Sequence, residues 1–288
     1  RGAGRNGNDE RDRLGDDAAT GNRDDNAEHV LSFIPYRTTL LYVDGLTISN
    51  GRARDIGWPG SLGAAIFARN THRLSLRDSI ISDNESAFAG AIYAPEAEEV
   101  FIIGCTLTDN RADVGAVFAA DHQPRVVFAQ SIIERNTAST DGGVAYMISF
   151  TGFGGSISFW NCLLAGNTAG RSGGAVFATR SDWNVIASTI VGNAAERGGF
   201  AFLEHQSTAR VLGSVFSGNA ASISGDALSI GGYGQKELEL EYSVLDGGLA
   251  TLQLDPGVGV TTTQVFDADP LFRDRLGADG LPGTGDED

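Results

Sequence analysis

The sequence has no run long and apolar enough to cross a membrane as a helix, which excludes a helical membrane span. It opens at Arg1 with no methionine and no apolar signal core, as a processed or truncated mature chain would. Lysine is nearly missing: Lys236 stands alone, so the basic complement is almost all arginine. Basic residues of either kind number 21 against 37 acidic ones, and the resulting net charge of −16 argues against nucleic acid or an anionic membrane surface as partner. Neither terminus shows an amphipathic helix fit to serve as a lid. Cysteine is scarce, with only Cys105 and Cys162.

Glycine and asparagine are what the chain has in quantity and in order. Seven asparagines, Asn50, Asn84, Asn110, Asn136, Asn167, Asn193 and Asn219, each close a short apolar run, and four of the six intervals between them are 26 residues. A fixed period in the 20s, built from short β-type runs and glycines, is the signature of a β-solenoid in which each repeat is one coil. Three residues before each asparagine stand Thr47, Ile81, Leu107, Ile133, Leu164, Ile190 and Phe216; five before stand Gly45, Ser79, Cys105, Ser131, Cys162, Ser188 and Ser214. Both positions are expected to point inward. Eight and ten residues before, pairs such as Leu74 and Leu76, Val126 and Phe128, or Trp183 and Val185 form a second inward face.

A third run follows each asparagine, with an aromatic position read as Phe67, Tyr93, Phe118, Tyr146, Phe177, Phe202 and Leu228. The fold class is therefore all-β: a right-handed parallel β-helix of about eight coils, three strands per coil, handed by the rule for parallel connections. The asparagine is assigned to the corner, tolerating a left-handed backbone and bonding the rungs above and below. Cys105 and Cys162 share one ladder position two coils apart, about 9 to 10 Å, beyond the reach of a disulfide, and read as buried thiols in serine-sized slots. One elongated domain at 30–248 is flanked by an acidic polar segment or cap at 1–29 and an irregular acidic segment at 249–288.

Blocks such as LAGN (Leu164 to Asn167), IVGN (Ile190 to Asn193), FSGN (Phe216 to Asn219) and Gly-Gly-Ala-Val (Gly173 to Val176) give the chain a resemblance to bacterial right-handed β-helix repeat proteins. It is similar to the repeats of chlamydial polymorphic outer-membrane proteins and of large anchored surface proteins of environmental bacteria, over roughly residues 28 to 272. DPLF (Asp269 to Phe272) looks like the closing segment of the latter. The resemblance implies a secreted or surface-displayed protein serving in adhesion or as structural material, and is strong for architecture rather than activity.

Function on such a scaffold is expected where the period breaks. The 34-residue and 31-residue intervals carry insertions with Trp58 and with Phe150 and Phe153; these rings, with Trp160, are the candidate contacts for a glycan or a surface protein. Asp267, Asp269, Asp274, Asp279 and Asp286 cluster in a glycine-rich context that suits Ca²⁺, though no twelve-residue EF-hand pattern is present. Coil ends expose unpaired backbone, so end-to-end self-association into a filament is a further expectation.

The enzyme alternative is a polysaccharide lyase or glycoside hydrolase acting on acidic glycans. It needs carboxylates and a basic residue gathered on neighbouring coils, and Glu96, Glu98, Asp121 and Arg125 fit best. Asp121-His122 and Glu204-His205 are three coils apart, about 14 Å, too far to share one bond. Asn-Thr-Asp, Gly-His-Gly and Arg-Ile-Lys, motifs of pectin-cleaving hydrolases, are absent, as are the repeated Thr-x-Thr rows of ice-binding faces. With no catalytic residue assigned, the sequence reads as a non-enzymatic, extracellular or cell-surface protein, adhesin-like or a building block of a surface assembly.

Overall fold

A computed structural model of the chain describes residues 30–33, 40–53, 62–120, 124–148 and 155–270. The chain winds into a parallel β-solenoid of about seven turns, with 59% of the described residues in strands. Every strand pair is parallel, and each strand stacks on its counterpart one coil away, as in Val100 on Leu74 and Val126 on Val100. Four sheets result, numbered here in the order a coil meets them. Sheet I runs from Leu40–Asp44 to Val258–Thr263, sheet II from Thr47–Ser49 to Val244–Leu245, sheet III from Arg52–Ala53 to Ala220–Ser224, and sheet IV from Leu31–Phe33 to Leu252–Leu254.

Sheet III is the strand beyond the three expected per coil. Its members, such as Glu85–Ser86 and Thr168–Ala169, are two to five residues long and mostly polar, so no apolar alternation announces them. Strand pairing also continues past residue 248, where Leu252–Leu254 and Val258–Thr263 extend sheets IV and I into the segment expected to be irregular.

Left-handed backbone turns the chain where it changes sheet, as at Asp78, Asp83, Ala89 and Glu96 in one coil, at φ 44, 56, 60 and 59. This corrects the corner assignment. The ladder asparagines are not left-handed; the residue before each one is, as with Asp83, Asp109, Arg135, Gly166, Gly192 and Gly218. Asn50 itself falls on that turning position, at φ 62, and is exposed. Gly51 takes the ladder slot instead, donating its N–H to Asn84 Oδ1 at 2.9 Å. A Cβ on Gly51 would stand 2.4 Å from the Ala64 carbonyl oxygen, so an asparagine side chain does not fit there. The first coil is shifted accordingly, with Ile48 rather than Thr47 stacked on Ile81.

From Asn84 to Asn219 the spine is continuous. Each side-chain amide donates to the Oδ1 of the next asparagine at 2.9 to 3.0 Å and to a carbonyl of the preceding coil, while each backbone N–H donates to the same Oδ1. Asn84, Asn110, Asn136, Asn167 and Asn193 are fully buried. Burying amides is tolerable only because donors and acceptors are matched this closely. A second spine runs beside it, with Leu46, Cys105 and Cys162 donating backbone N–H groups to Ser79, Ser131 and Ser188 hydroxyls, each at 3.1 Å. Both cysteines are free, buried and occupy serine slots.

The interior is the expected stack of sheet I pairs, among them Leu74 and Leu76, Phe128, Phe159 and Trp183, faced by Ile81 to Phe216 of sheet II and by sheet IV. Large meets small between coils: Trp183 stacks on Ala209. Lys236 lies on the inward parity of its strand, 4% exposed, its amine donating to the Gly232 carbonyl. The aromatic row needs correction at two places. Phe118 and Leu228 belong to the inward row with Ile92 and Ala201, while Phe67, Tyr93, Ala119, Tyr146, Phe177 and Phe202 form a row on the other side of sheet IV. Phe88 fills the space left by Ala119, its ring edge-on to Tyr93 at 5.3 Å and to Tyr146 at 5.7 Å.

Candidate functional site

Outward residues of sheet I differ along the axis. In the N-terminal half the ladder period places Arg73, Glu99 and Arg125 in one row and Tyr42, Ser75, Phe101 and Val127 in the next. Glu99 bridges the two arginines, accepting from Arg73 Nε at 2.8 Å and standing 3.8 Å from Arg125. That hydrogen bond raises the Arg73 guanidinium above its ordinary value. Both guanidinium groups approach the Phe101 ring, at 5.3 and 5.9 Å from its centroid, a cation–π arrangement. A shallow depression of about 240 Å³ lies here, lined by Tyr42, Arg73, Ser75, Arg77, Phe101 and Ile103. Tyr42 is 60% exposed. Arg77 Nε donates to the Ser75 hydroxyl at 3.4 Å. Phe101 went unnoticed in the sequence, although its place between Arg73 and Arg125 on the 26-residue period was a readable signal.

The carboxylates of the enzyme alternative are engaged elsewhere. Glu96 pairs with Arg69 at 3.3 Å, and Glu98 with His72 at 2.7 Å, each across to the preceding coil. Arg125 is turned to Glu99, and Asp121 lies outside the described residues. The same coil-to-coil pairing recurs in Arg135 with Asp109, Arg210 with Glu239, and Arg171 with the buried Asp141. Burial pushes Asp109 upward, but hydrogen bonds from Arg135 and Thr108 outweigh it and leave this carboxyl below its ordinary value.

Of the aromatic candidates, Trp160 ends a sheet I strand, 49% exposed, stacked between Ala129 and Ile186. Trp58, Phe150 and Phe153 lie outside the described residues, as do Asp274, Asp279 and Asp286. Asp267 accepts the Gly247 N–H at 3.1 Å, and Asp269 is near it in sequence. Among the described residues no group of three or more His, Cys, Asp or Glu side chains is placed to hold a metal ion. Nor is any described helix long and apolar enough to cross a membrane.

Taken together, fold and face define a parallel β-solenoid whose charged side chains tie one coil to the next. No family model, no curated protein and no solved structure matches the chain.

Proposed function

We propose that this chain is a non-enzymatic β-solenoid of the cell surface or extracellular space, an adhesin-like stalk or a building block of a surface assembly. The observation that carries the reading is the use made of its carboxylates. Glu96, Glu99, Asp109 and Asp141 each pair with an arginine of a neighbouring coil and Glu98 with His72, which ties coil to coil and engages both described carboxylates of the enzyme alternative, Glu96 and Glu98. The continuous asparagine spine and the row of serine hydroxyl bonds beside it serve the same end. The likeness of its corner blocks to polymorphic outer-membrane and anchored surface proteins points to the same location and role.

End-to-end stacking belongs to this reading. The terminal strands Leu40–Asp44 and Val258–Thr263 each pair on one side only among the described residues, and Leu40, Val260 and Phe266 are exposed there. The test against the lyase or hydrolase alternative is direct. Full-length protein incubated with pectate, alginate and hyaluronate is expected to release no unsaturated or new reducing-end products. Product release that is lost in Glu98→Gln would replace this reading with the enzymatic one.

A further inference from the structure

The corner from sheet IV to sheet I lengthens over three successive coils. Arg180 alone joins Val176–Thr179 to Ser181–Ile186, and His205 with Gln206 joins Ala201–Glu204 to Ser207–Leu212. Four residues, 232–235, then join Leu228–Gly231 to Lys236–Glu241. This break in the period follows Asn219, the last of the asparagine row, so the spacing of the asparagines does not show it. The widening holds a depression of about 310 Å³, lined by Asp182, Gln206, Ser207, Thr208, Gln235 and Glu237. All six belong to this corner or to the first two residues of the sheet I strands that leave it.

The longest of the three corners is pinned from several sides. The Tyr233 ring lies 4.1 Å from that of His205, its hydroxyl accepts from Arg180 Nη2 at 2.6 Å, and its N–H donates to His205 Nδ1 at 3.4 Å. Gly232 donates its N–H to Asp255 at 3.0 Å, and its carbonyl accepts from the buried amine of Lys236. A Cβ on Gly232 would stand 2.5 Å from His205 Nδ1 and one on Gly234 2.2 Å from Gln206 Cγ, so the segment closes onto the preceding coil only with glycine at both places. Tyr233 therefore borders the depression, and it remains 61% exposed. A ring locked by its neighbours yet left facing water has little rotamer freedom still to lose on binding.

We infer that this corner binds a neutral saccharide, one sugar face against Tyr233 and its hydroxyls on the amides and carboxylates of the depression. The inference rests on the surface-protein reading above and gives it an adhesive site. A sugar offers a face of C–H groups and vicinal hydroxyls that each donate and accept. Tyr233 answers the first, and the Gln206 and Gln235 amides, the Thr208 hydroxyl and the Asp182 and Glu237 carboxylates answer the second. Gln235 Nε2 donates to Glu237 Oε1 at 3.1 Å, which sets an amide and a carboxylate side by side. A peptide strand finds no edge here, because the backbones are paired coil to coil, as in Ser207 with Lys236. An acidic sugar meets Asp182 and Glu237, while Arg180 is turned to Tyr233 and the Lys236 amine to Gly232. Nor do those two carboxylates share one metal ion, since the coil of Thr208 lies between them and their backbones are about 9.6 Å apart at two coil spacings. The volume is at the lower end for small-molecule sites and suits a short stretch of glycan.

Isothermal titration of the full chain with maltohexaose, cellohexaose, xylohexaose, mannohexaose and chitohexaose, each taken to about 10 mM, is expected to show binding of at least one, and none of hexagalacturonate. Tyr233→Ala is expected to weaken that binding at least about tenfold and, separately, Glu237→Ala at least about threefold. Tyr242→Ala, at another exposed tyrosine outside the depression, leaves it unchanged. Circular dichroism confirms that the variants fold. Binding of no neutral probe, binding indifferent to either Tyr233→Ala or Glu237→Ala, or a preference for hexagalacturonate would each overturn the inference. None of these results touches assembly, which electron microscopy reads separately, so the building-block reading survives them.

Discussion

Asn136 donates its side-chain amide to Asn167 Oδ1 at 3.0 Å, although 31 residues separate the two where 26 separate Asn110 from Asn136. Of the five extra residues (31 − 26), one falls in sheet III, where Ala112 pairs with Ala138 but Val114 with Asp141, and four fall between Met147 and Ser156, all outside the spine. A solenoid held this way accepts insertions on its flank while its register stays fixed by the buried amides.

That relationship sets the first prediction. Asn136→Ala removes the acceptor of the Asn110 N–H and side-chain amide and the donor to the Leu107 carbonyl, all buried. It is expected to lower stability by about 1 to 3 kcal/mol in urea unfolding. Asn50→Ala, at an exposed turn off the spine, is expected to cost less than about 1 kcal/mol. Equal effects at the two positions would contradict the assignment of Gly51 to the ladder.

Cys162 gives a prediction in pH. Burial pushes its thiol up from the ordinary 9.0 to about 11. A raised folded value means that the neutral thiol is preferred in the native state. Its contribution is therefore complete below about pH 9 and is lost as pH rises from about 9 to about 11, worth roughly 2 to 3 kcal/mol. Denaturant midpoints measured across that window are expected to fall less steeply for Cys162→Ser than for the natural chain. Native protein at pH 8 is expected to resist thiol reagents that react once it is unfolded.

Phe88 and Ala119 form a size-compensated pair on sheet IV. Phe88→Ala opens a gap between Tyr93 and Tyr146, and Ala119→Phe drives a ring into space that Phe88 occupies. Each change alone is expected to destabilise by about 1 to 4 kcal/mol. The double variant, which restores an aromatic at every rung, is expected to cost less than the sum of the two. Strict additivity would show that the rings do not share one space.

Much of this fold is legible in the residues because inward side chains repeat like with like. Leu74, Val100, Val126 and Ile157 announce their row, and the buried asparagines announce the corner. Sheet III was not legible, since strands such as Glu85–Ser86 are too short for a period-two pattern and bury few apolar groups. Asn50 misled because its letter matched the spine while its neighbours Thr47 to Ser49 matched the strand one residue differently. Phe118 misled for a similar reason: its ring points inward one position away from the row that Tyr93 and Tyr146 share. Charge pairing between coils was visible only once the register was known, which is why Glu98 stood as a catalytic candidate rather than as the partner of His72.

The central claim is that this stack of coils is a structural element of an assembly. Electron microscopy of the purified full chain, over a range of protein concentration, tests it most directly. The account predicts elongated particles that associate into ordered assemblies whose axial repeat is a whole number of coil spacings of about 4.8 Å. Isolated particles at every concentration would contradict it.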